Sequence, residues 1–453
     1  MFDPKLKKLP IGKQTFKDVI DEDNLYIDKT QIALDLIDYY KYVFLARPRR
    51  FGKSLFLDTL KELFEGNKAL FKGLYAYDHY NWDNVYPVIY ISFSGGVHSK
   101  DELSRELYSI LGENKKRLKV ECKTDNNINV CFKELIINTY EKYNQKVVIL
   151  IDEYDKPILD NLTHIKESII IRDALRDFYS KIKDSDRYIR FAFLTGVSKF
   201  SKVSLFSGLN NLTDISLDER YGNICGYTQY DIETQFLPYL KGVDLEKLKK
   251  WYNGYNFLGD RVYNPFDILL FIQKNHKYSN YWFETGTPAF LLELIKKHHY
   301  FLPELENLET DERLVNSFEI ENLSLETLMF QTGYLTIKEI RQKRNRIVYH
   351  LDFPNLEVKL SFYDYVLGFF VINARKNRIA DDLYDIFEKA ELNKLEAVIT
   401  QLFASIAYNN YTRNDIAHYE GFYASLLYAY FASLGLEIIA EDVTSQGRMD
   451  LTI

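Results

Sequence analysis

Cysteine is scarce in this chain. Of 453 residues only Cys122, Cys131 and Cys225 carry a thiol. None forms a C-x-x-C pair, so neither a disulfide framework nor a zinc site is indicated. Long apolar runs are missing as well. None approaches the ~18 residues that span a bilayer, and Met1-Phe2-Asp3-Pro4-Lys5 lacks the apolar core of a signal peptide. The expectation is a soluble, cytoplasmic chain with no membrane partner. Positive charge is not in excess either: 58 Lys and Arg face 65 Asp and Glu, a net charge of −7. That argues against a protein that coats nucleic acid indiscriminately and leaves room for a local basic groove. There are no internal repeats, low-complexity segments or Gly/Ser linkers.

What is present is ordinary globular material. Hydrophobic residues make up 46% and charged residues 27%, enough to fill a sizeable core. At ~100–200 residues per domain, the length suggests two to four domains. The 36 Tyr and 31 Phe form no stripe and read as bulky core filler.

Chemistry first shows at Arg47-Pro48-Arg49-Arg50-Phe51-Gly52-Lys53-Ser54. The apolar run Tyr42-Val43-Phe44-Leu45-Ala46 leads into it, and Leu55 to Phe64 follows with leucines and phenylalanines at helical spacing. Strand, tight loop and helix make a phosphate cradle, because the free N–H groups of a helix's first turn point at the anion. Gly52 lets the backbone come close, Lys53 reaches the β- and γ-phosphates, and Ser54 offers a hydroxyl to Mg²⁺. The pattern G-x-x-x-x-G-K-[ST] places Gly where this chain has Arg47, so Gly-Lys-Ser needs support from elsewhere.

Support comes about a hundred residues later, at Lys146-Val147-Val148-Ile149-Leu150-Ile151-Asp152-Glu153. The apolar run reads as a strand buried on both faces of a parallel sheet, with two carboxylates at its carboxyl end, where such sheets bind ligands. Asp152 is assigned to the metal and Glu153 to the attacking water. The alternative is that Asp-Glu only begins a solvated loop. Ile189 to Gly196 reads as another buried strand, and Thr195 and Ser198 would face the same edge. A polar residue there could sense the γ-phosphate or help place the water; the alternative is that it caps the next element.

The remaining elements are coarser. Thr15 is a candidate N-cap, Pro87 to Phe93 a strand, and residues 99–145 helical. From Gly226 a helical stretch begins, with turn-rich aromatic connections. Leu323 to Phe330 is helical. Gly333 to Ile337 and Val348 to Phe353 are strands, and Lys338, Arg341, Lys343, Arg344 and Arg346 lie between them. Glu357-Val358-Lys359 is strand-like. A helix with a basic-tipped hairpin suits a winged helix whose wing meets a phosphate backbone; the alternative is a solvated hairpin. Asp381 to Ile406 and Tyr419 to Tyr428 are helical, and Leu436 to Asp442 and Gly447 to Ile453 are strands.

These stretches together resemble the bacterial family of AAA-like P-loop ATPases fused to a C-terminal PD-(D/E)XK nuclease-like domain. The resemblance rests on Leu9-Pro10-Ile11-Gly12 with Gln14-Thr15-Phe16, on Tyr26-Ile27-Asp28-Lys29-Thr30, and on Arg47 to Ser54. It extends to Ile151-Asp152-Glu153-Tyr154-Asp155-Lys156-Pro157, Leu194 to Phe200, Trp251-Tyr252-Asn253-Gly254-Tyr255 and Tyr281 to Pro288. Arg47 in place of the first glycine is the usual form in that family. The fold implied is an α/β, ASCE-type parallel sheet, followed by a helical and winged-helix-like region and the start of a nuclease-like domain. Its expected parts are 1–225 (ATPase core), 226–300 (helical lid over the nucleotide edge), 301–375 (winged-helix-like) and 376–453 (nuclease-like, truncated). The resemblance also implies a strand inserted between the P-loop strand and the Asp-Glu strand, and Pro87 to Phe93 is placed there.

The cofactors implied are ATP and Mg²⁺. The nucleotide-binding set is Arg50, Phe51, Gly52, Lys53, Ser54 and Leu55. The metal set is Ser54 and Asp152, and the catalytic set Glu153, Lys53 and Thr195. Arg49, Arg50 and Arg220 are unranked candidates for a cis or trans arginine. Glu420 and Asp450 match the first two positions of a nuclease site. The third, Glu/Asp-x-Lys, is expected beyond Ile453, so nuclease activity is not expected of the chain as given. Nucleic acid is a candidate partner through Lys343, Arg344 and Arg346, and a homo-oligomer is allowed. Three functions stand open: an ATPase coupled to conformational change, a nucleotide-gated switch with little turnover, and a DNA-processing protein that uses ATP to regulate a nuclease.

Overall fold

The computed structural model describes residues 6–453 except 94, 200–204, 207, 208, 210, 284–290, 292–294, 296–301, 312–319, 321–323, 345, 372, 406–419, 437, 445, 446 and 453. The chain separates into two compact units. One comprises Met1–Val243, Tyr255–Lys277 and Glu312–Gly333, and the other Asp244–Gly254, Tyr278–Asp311 and Tyr334–Ile453.

The first unit carries, in order, α1 (Phe16–Asp21), α2 (Thr30–Tyr39), β1 (Tyr42–Ala46), α3 (Lys53–Phe64), α4 (Tyr75–His79), β2 (Val88–Ser92), α5 (Lys100–Leu118) and α6 (Ile128–Tyr143). Then come β3 (Val147–Asp152), α7 (Lys156–Leu159), α8 (Ile165–Asp184), β4 (Ile189–Gly196) and β5 (Thr213–Asp214). The five strands form one sheet in the order β2-β3-β4-β1-β5, with every pairing parallel. All six residues of β3 are buried, as its unbroken apolar run requires of a strand with helices on both faces. Register places Ser92 beside Asp152, and Leu45 and Ala46 beside Thr195 and Gly196. The carboxyl ends of β1, β3 and β4 therefore share one edge.

The strand between the P-loop strand and the Asp-Glu strand is β4, and Pro87 to Phe93 does not occupy that place. Its strand, β2, lies at the sheet margin beyond β3. The reason is visible in its side chains. Tyr90 and Ser92 are only half-buried, and α5 covers the open backbone. Asn114 accepts from Tyr90 N at 2.9 Å and donates to Tyr90 O at 2.7 Å, and Arg117 donates to Val88 O. A margin closed in this way offers no row of free groups for another strand.

Other expectations are refined. The helical stretch 99–145 is broken at 119–127, where Lys119 turns left-handed (φ 53°) and Asn127 caps α6 through Val130 N. Cys122 and Cys131, both buried, are joined across this break as a disulfide, a pairing that their nine-residue separation did not signal. Thr15 sits at the N-cap of α1 without a side-chain cap bond; Phe16 N donates instead to Asp58 Oδ2 at 2.6 Å. Tyr227–Thr228 begins as a short strand antiparallel to Val262–Tyr263, and the capping box of Thr228 and Asp231 follows.

In the second unit, Arg346–Asp352 pairs antiparallel with both Thr336–Lys343 and Leu308–Asp311. The helix Leu325–Thr332 falls in the first unit and this hairpin in the second. Glu357-Val358-Lys359 is not a strand: it lies in the helix Leu356–Phe370. Asn355 caps that helix by accepting from Val358 N at 3.1 Å, and the fully buried Glu357 accepts from Trp282 N and Phe283 N. A three-residue alternation is too short to outweigh such a cap. Near the C-terminus, Glu420 opens the helix Glu420–Ser433, and Asp450 lies on Gly447–Thr452, antiparallel to Ile439–Thr444. Among the described residues no helix is long and apolar enough to cross a membrane.

Candidate nucleotide site

The loop after β1 is built around an arginine turned inward. Arg47 is 1% exposed. Its N–H donates to Gly196 O at 3.1 Å. Its guanidinium donates to Ser216 O at 2.7 Å and Tyr221 O at 3.0 Å and lies over the Phe257 ring at 4.0 Å. A planar fork of donors suits two carbonyls and a ring face at once. Burial pulls this group down to about 10, which leaves it charged at neutral pH. Arg47 thus ties the loop to the segment that follows β5.

The tip of the loop needs two left-handed residues, Arg50 (φ 67°) and Gly52 (φ 90°). Glycine adopts that conformation freely and arginine does so at a cost. Arg50 is exposed, with its guanidinium 5.1 Å above the Phe266 ring. Phe51 is buried edge-on against Tyr255 and Phe257. Its carbonyl accepts from Gly226 N at 3.2 Å, and Asn264 Nδ2 donates to Arg49 O at 3.4 Å. α3 begins at Lys53 with no side chain capping it, so the N–H groups of Lys53, Ser54 and Leu55 stay available to an anion.

Lys53 is 7% exposed, and its Nζ donates to Arg47 O and Pro48 O, each at 2.9 Å. Burial lowers its pKa, and Asp152 leads the acids that oppose the shift. The ammonium is therefore held across the mouth of the loop by two carbonyls that phosphate oxygens can replace.

Asp152 is 3% exposed, with the Ser54 hydroxyl close enough to act on its carboxylate. Burial raises its pKa, against Ser54 and Lys53. A hydroxyl and a carboxylate oxygen brought together at a sheet edge are the hard donors Mg²⁺ takes, with water and phosphate oxygens completing the shell. Glu153 follows in a left-handed conformation (φ 50°), half-buried, with its pKa raised by burial and then by Asp152. A non-glycine residue there stores strain and redirects its side chain relative to the strand before it.

Thr195 is fully buried, and its Oγ1 has no hydrogen-bond partner among the described residues. Ser198, paired with it by the sequence reading, differs: its hydroxyl donates to Asp155 at 2.5 Å. Arg220 is exposed and occupied by Asp218, through Nε at 3.1 Å and Nη2 at 2.7 Å, and by the Tyr40 hydroxyl.

The structure thus brings Ser54 to Asp152, with Lys53 and Glu153 beside them. Three participants escaped the sequence reading of the site: Arg47 as an inward anchor, Asn264, and Asp155. Asp155 stood inside the Asp-Glu motif, and Asn264 in the turn Tyr263-Asn264-Pro265-Phe266. In the second unit, Lys343 pairs with Glu309 at 2.8 Å and Arg341 with Glu339 at 2.7 Å, whereas Arg344 and Arg346 are exposed. The side chains of Glu420 and Asp450 lie outside the described residues. Cys122, Asp125 and Cys131 cluster closely enough to ligate a metal, but the two sulfurs are joined to each other.

A family model described as a predicted AAA-ATPase matches residues 10–206, and one for the PD-(D/E)XK nuclease superfamily matches residues 418–453. The chain is similar to an uncharacterized protein in the vnfD 5′ region of Azotobacter chroococcum mcd 1. The two are 48% identical over 450 residues, 99% of this chain and 87% of that protein. No solved structure matches significantly.

Proposed function

The chain belongs to the family of AAA-ATPase-like proteins with a PD-(D/E)XK nuclease superfamily region at the C-terminus, and from that premise we propose that its first unit binds ATP with Mg²⁺ and hydrolyses it. One observation carries this reading. The buried Asp152 carboxylate ends β3 within reach of Ser54, in the first turn of α3, directly beside a Glu153 held in a left-handed turn. A phosphate cradle alone holds a nucleotide. A second carboxylate beside the Ser54–Asp152 pair is placed to act on an attacking water, which supports turnover as well.

In this reading the first-turn N–H groups of α3 bind the phosphates, and Lys53 leaves the carbonyls of Arg47 and Pro48 to bridge the β- and γ-phosphate oxygens. Ser54 and Asp152 would hold Mg²⁺, and the chemistry such an ion would supply there is neutralisation of phosphate charge. Glu153 orients the attacking water and accepts its proton, a role that suits a carboxylate pushed upward by burial. Thr195 supplies a buried hydroxyl at the same sheet edge to place the water or the γ-phosphate.

The test is steady-state phosphate release from Mg·ATP together with equilibrium binding of a fluorescent ATP analogue. Glu153→Gln is expected to lower kcat by about 10²–10³-fold with binding within a few-fold of the parent. Lys53→Ala is expected to abolish binding. Turnover undiminished in Glu153→Gln removes the assignment of the base, and parent-like binding by Lys53→Ala removes the cradle.

A further inference from the structure

Asp155 occupies the N-cap position of α7 but makes no cap bond there. Its carboxylate reaches across to the end of β4. Oδ2 accepts from Val197 N at 3.0 Å, Ser198 N at 2.6 Å and the Ser198 hydroxyl at 2.5 Å, and Oδ1 accepts from Val197 N at 3.3 Å. The group is 1% exposed, and no cation is ion-paired with it among the described residues. A buried carboxylate is costly unless its lone pairs are filled, and here two backbone N–H groups and a hydroxyl fill them.

The same junction is stitched a second time. Tyr154 N donates to Thr195 O at 3.1 Å, the Tyr154 hydroxyl donates to Ser198 O at 2.9 Å, and Tyr179 from α8 donates to Tyr154 O at 3.0 Å. Gly196 shows how close the approach is. A Cβ there would lie 2.3 Å from Asp155 Oδ1 and 2.6 Å from the Tyr154 ring. Gly196 O in turn accepts from Arg47 N. The turn after β3, the end of β4 and the start of the phosphate loop are therefore one hydrogen-bonded unit.

We infer that Asp155 is a positioning residue: it locks Val197 and Ser198 to the turn that carries Glu153, and so holds the Thr195 hydroxyl and the Glu153 carboxylate in one fixed frame. The inference rests on the ATPase reading above and adds what sets the geometry. Asp155 touches no substrate atom in this role. Glu153 lies at a strained φ, which needs support on both sides to persist. Asp152 precedes it, on a buried strand. Asp155 follows it two positions later, anchored across to the neighbouring strand. Without that anchor the turn relaxes, and a displacement of about 1 Å at a catalytic carboxylate costs on the order of 10²-fold in rate.

The experiment measures kcat, KM and analogue binding for the parent, Asp155→Asn, Ser198→Ala, Glu153→Gln and the double variant Asp155→Asn/Glu153→Gln, each with its melting temperature. Asp155→Asn is expected to lower kcat by about 10–100-fold while nucleotide binding stays within about threefold. Ser198→Ala removes one of the contacts and is expected to lower kcat by about 3–10-fold. In the double variant kcat is expected to fall by clearly less than the product of the two single losses, because the part of the Asp155 effect that acts through Glu153 has nothing further to lose. A purely structural residue would lower binding and kcat together in every background. Parent-like kcat in Asp155→Asn overturns the inference, as does full additivity in the double variant. If Asp155→Asn does not fold, Ser198→Ala decides, and parent-like kcat there overturns it equally. A parent that releases no phosphate from Mg·ATP defeats the ATPase reading itself, a result distinct from any of these.

Discussion

At the scale of single residues, the carboxylates after β3 run against the usual sign of acid stability. Asp152, Glu153 and Asp155 all have pKa values raised, in each case chiefly by burial. An acid with a raised folded pKa binds more protons folded than unfolded. Its contribution is favourable at low pH and is lost as pH rises from the unfolded value through the folded one. In the absence of nucleotide and metal, this cluster should therefore make the protein less stable as pH climbs above the normal carboxylate range. Glu153→Gln removes one of these titrations, so its melting temperature should exceed the parent's at pH 7.5, by about 1–2 °C per kcal/mol of relief for a chain of this size, and the gap should narrow at pH 5. Scanning calorimetry at both values checks this. An offset that is equal at the two pH values contradicts the burial argument. Glu153→Gly should gain further, because glycine carries no penalty at φ 50°, and should turn over no ATP. On the proposed ATPase reading, stability and catalysis would be opposed at this position, as is common where a site holds strained, desolvated charge.

At the scale of elements, the phosphate loop shows how much could be read and why the rest could not. The strand before it, the helix after it and the Asp-Glu strand were legible because each is a local pattern: an apolar run, a helical period, a polar end. Arg47 was not. It breaks the common glycine pattern, and its partners Ser216 and Tyr221 lie 169 and 174 positions away, beyond any local periodicity. For the same reason the grip of Asp155 on Val197, 42 positions distant, left no trace in the spacing. Strand order was misread where Pro87 to Phe93 was placed inside the sheet, since apolarity alone does not separate a central strand from a margin closed by Asn114 and Arg117. A prediction follows for the loop. Arg47→Gly restores the common motif on paper, but it strips two buried carbonyls of a charged donor and empties the space over Phe257. It should cost about 2–4 kcal/mol and weaken ATP binding. Arg47→Lys should recover only part of this, because an ammonium cannot span both carbonyls while lying flat on the ring. Denaturant melts of the three proteins check the order parent, Arg47→Lys, Arg47→Gly. A Gly variant as stable as the parent would show that the anchor carries no weight.

At the scale of the whole chain, the net charge of −7 means that nucleic acid, if it binds at all, must find a local cationic surface. The hairpin of the second unit supplies less charge than its sequence implies. Lys343 is paired with Glu309, and Arg341 with Glu339. The Lys343 ammonium holds the Glu309 carboxyl below its ordinary range, so the carboxylate stays ionised and paired at neutral pH. Arg344 and Arg346 then carry the exposed charge of the turn. Each phosphate neutralised contributes about 0.9 to the slope of log affinity against log salt. Arg344→Ala/Arg346→Ala should therefore lower that slope on duplex DNA by about 2, whereas Lys343→Ala should lower it by less than one contact's worth. Glu309→Gln gives the opposite sign. It releases Lys343, and with it binding should strengthen and the slope steepen by up to about 1. Titrations of labelled duplex at several salt concentrations measure all three. Binding that ignores salt, or a Glu309→Gln variant no tighter than the parent, would assign the hairpin to solvation and leave nucleic-acid contact to be sought elsewhere in the chain.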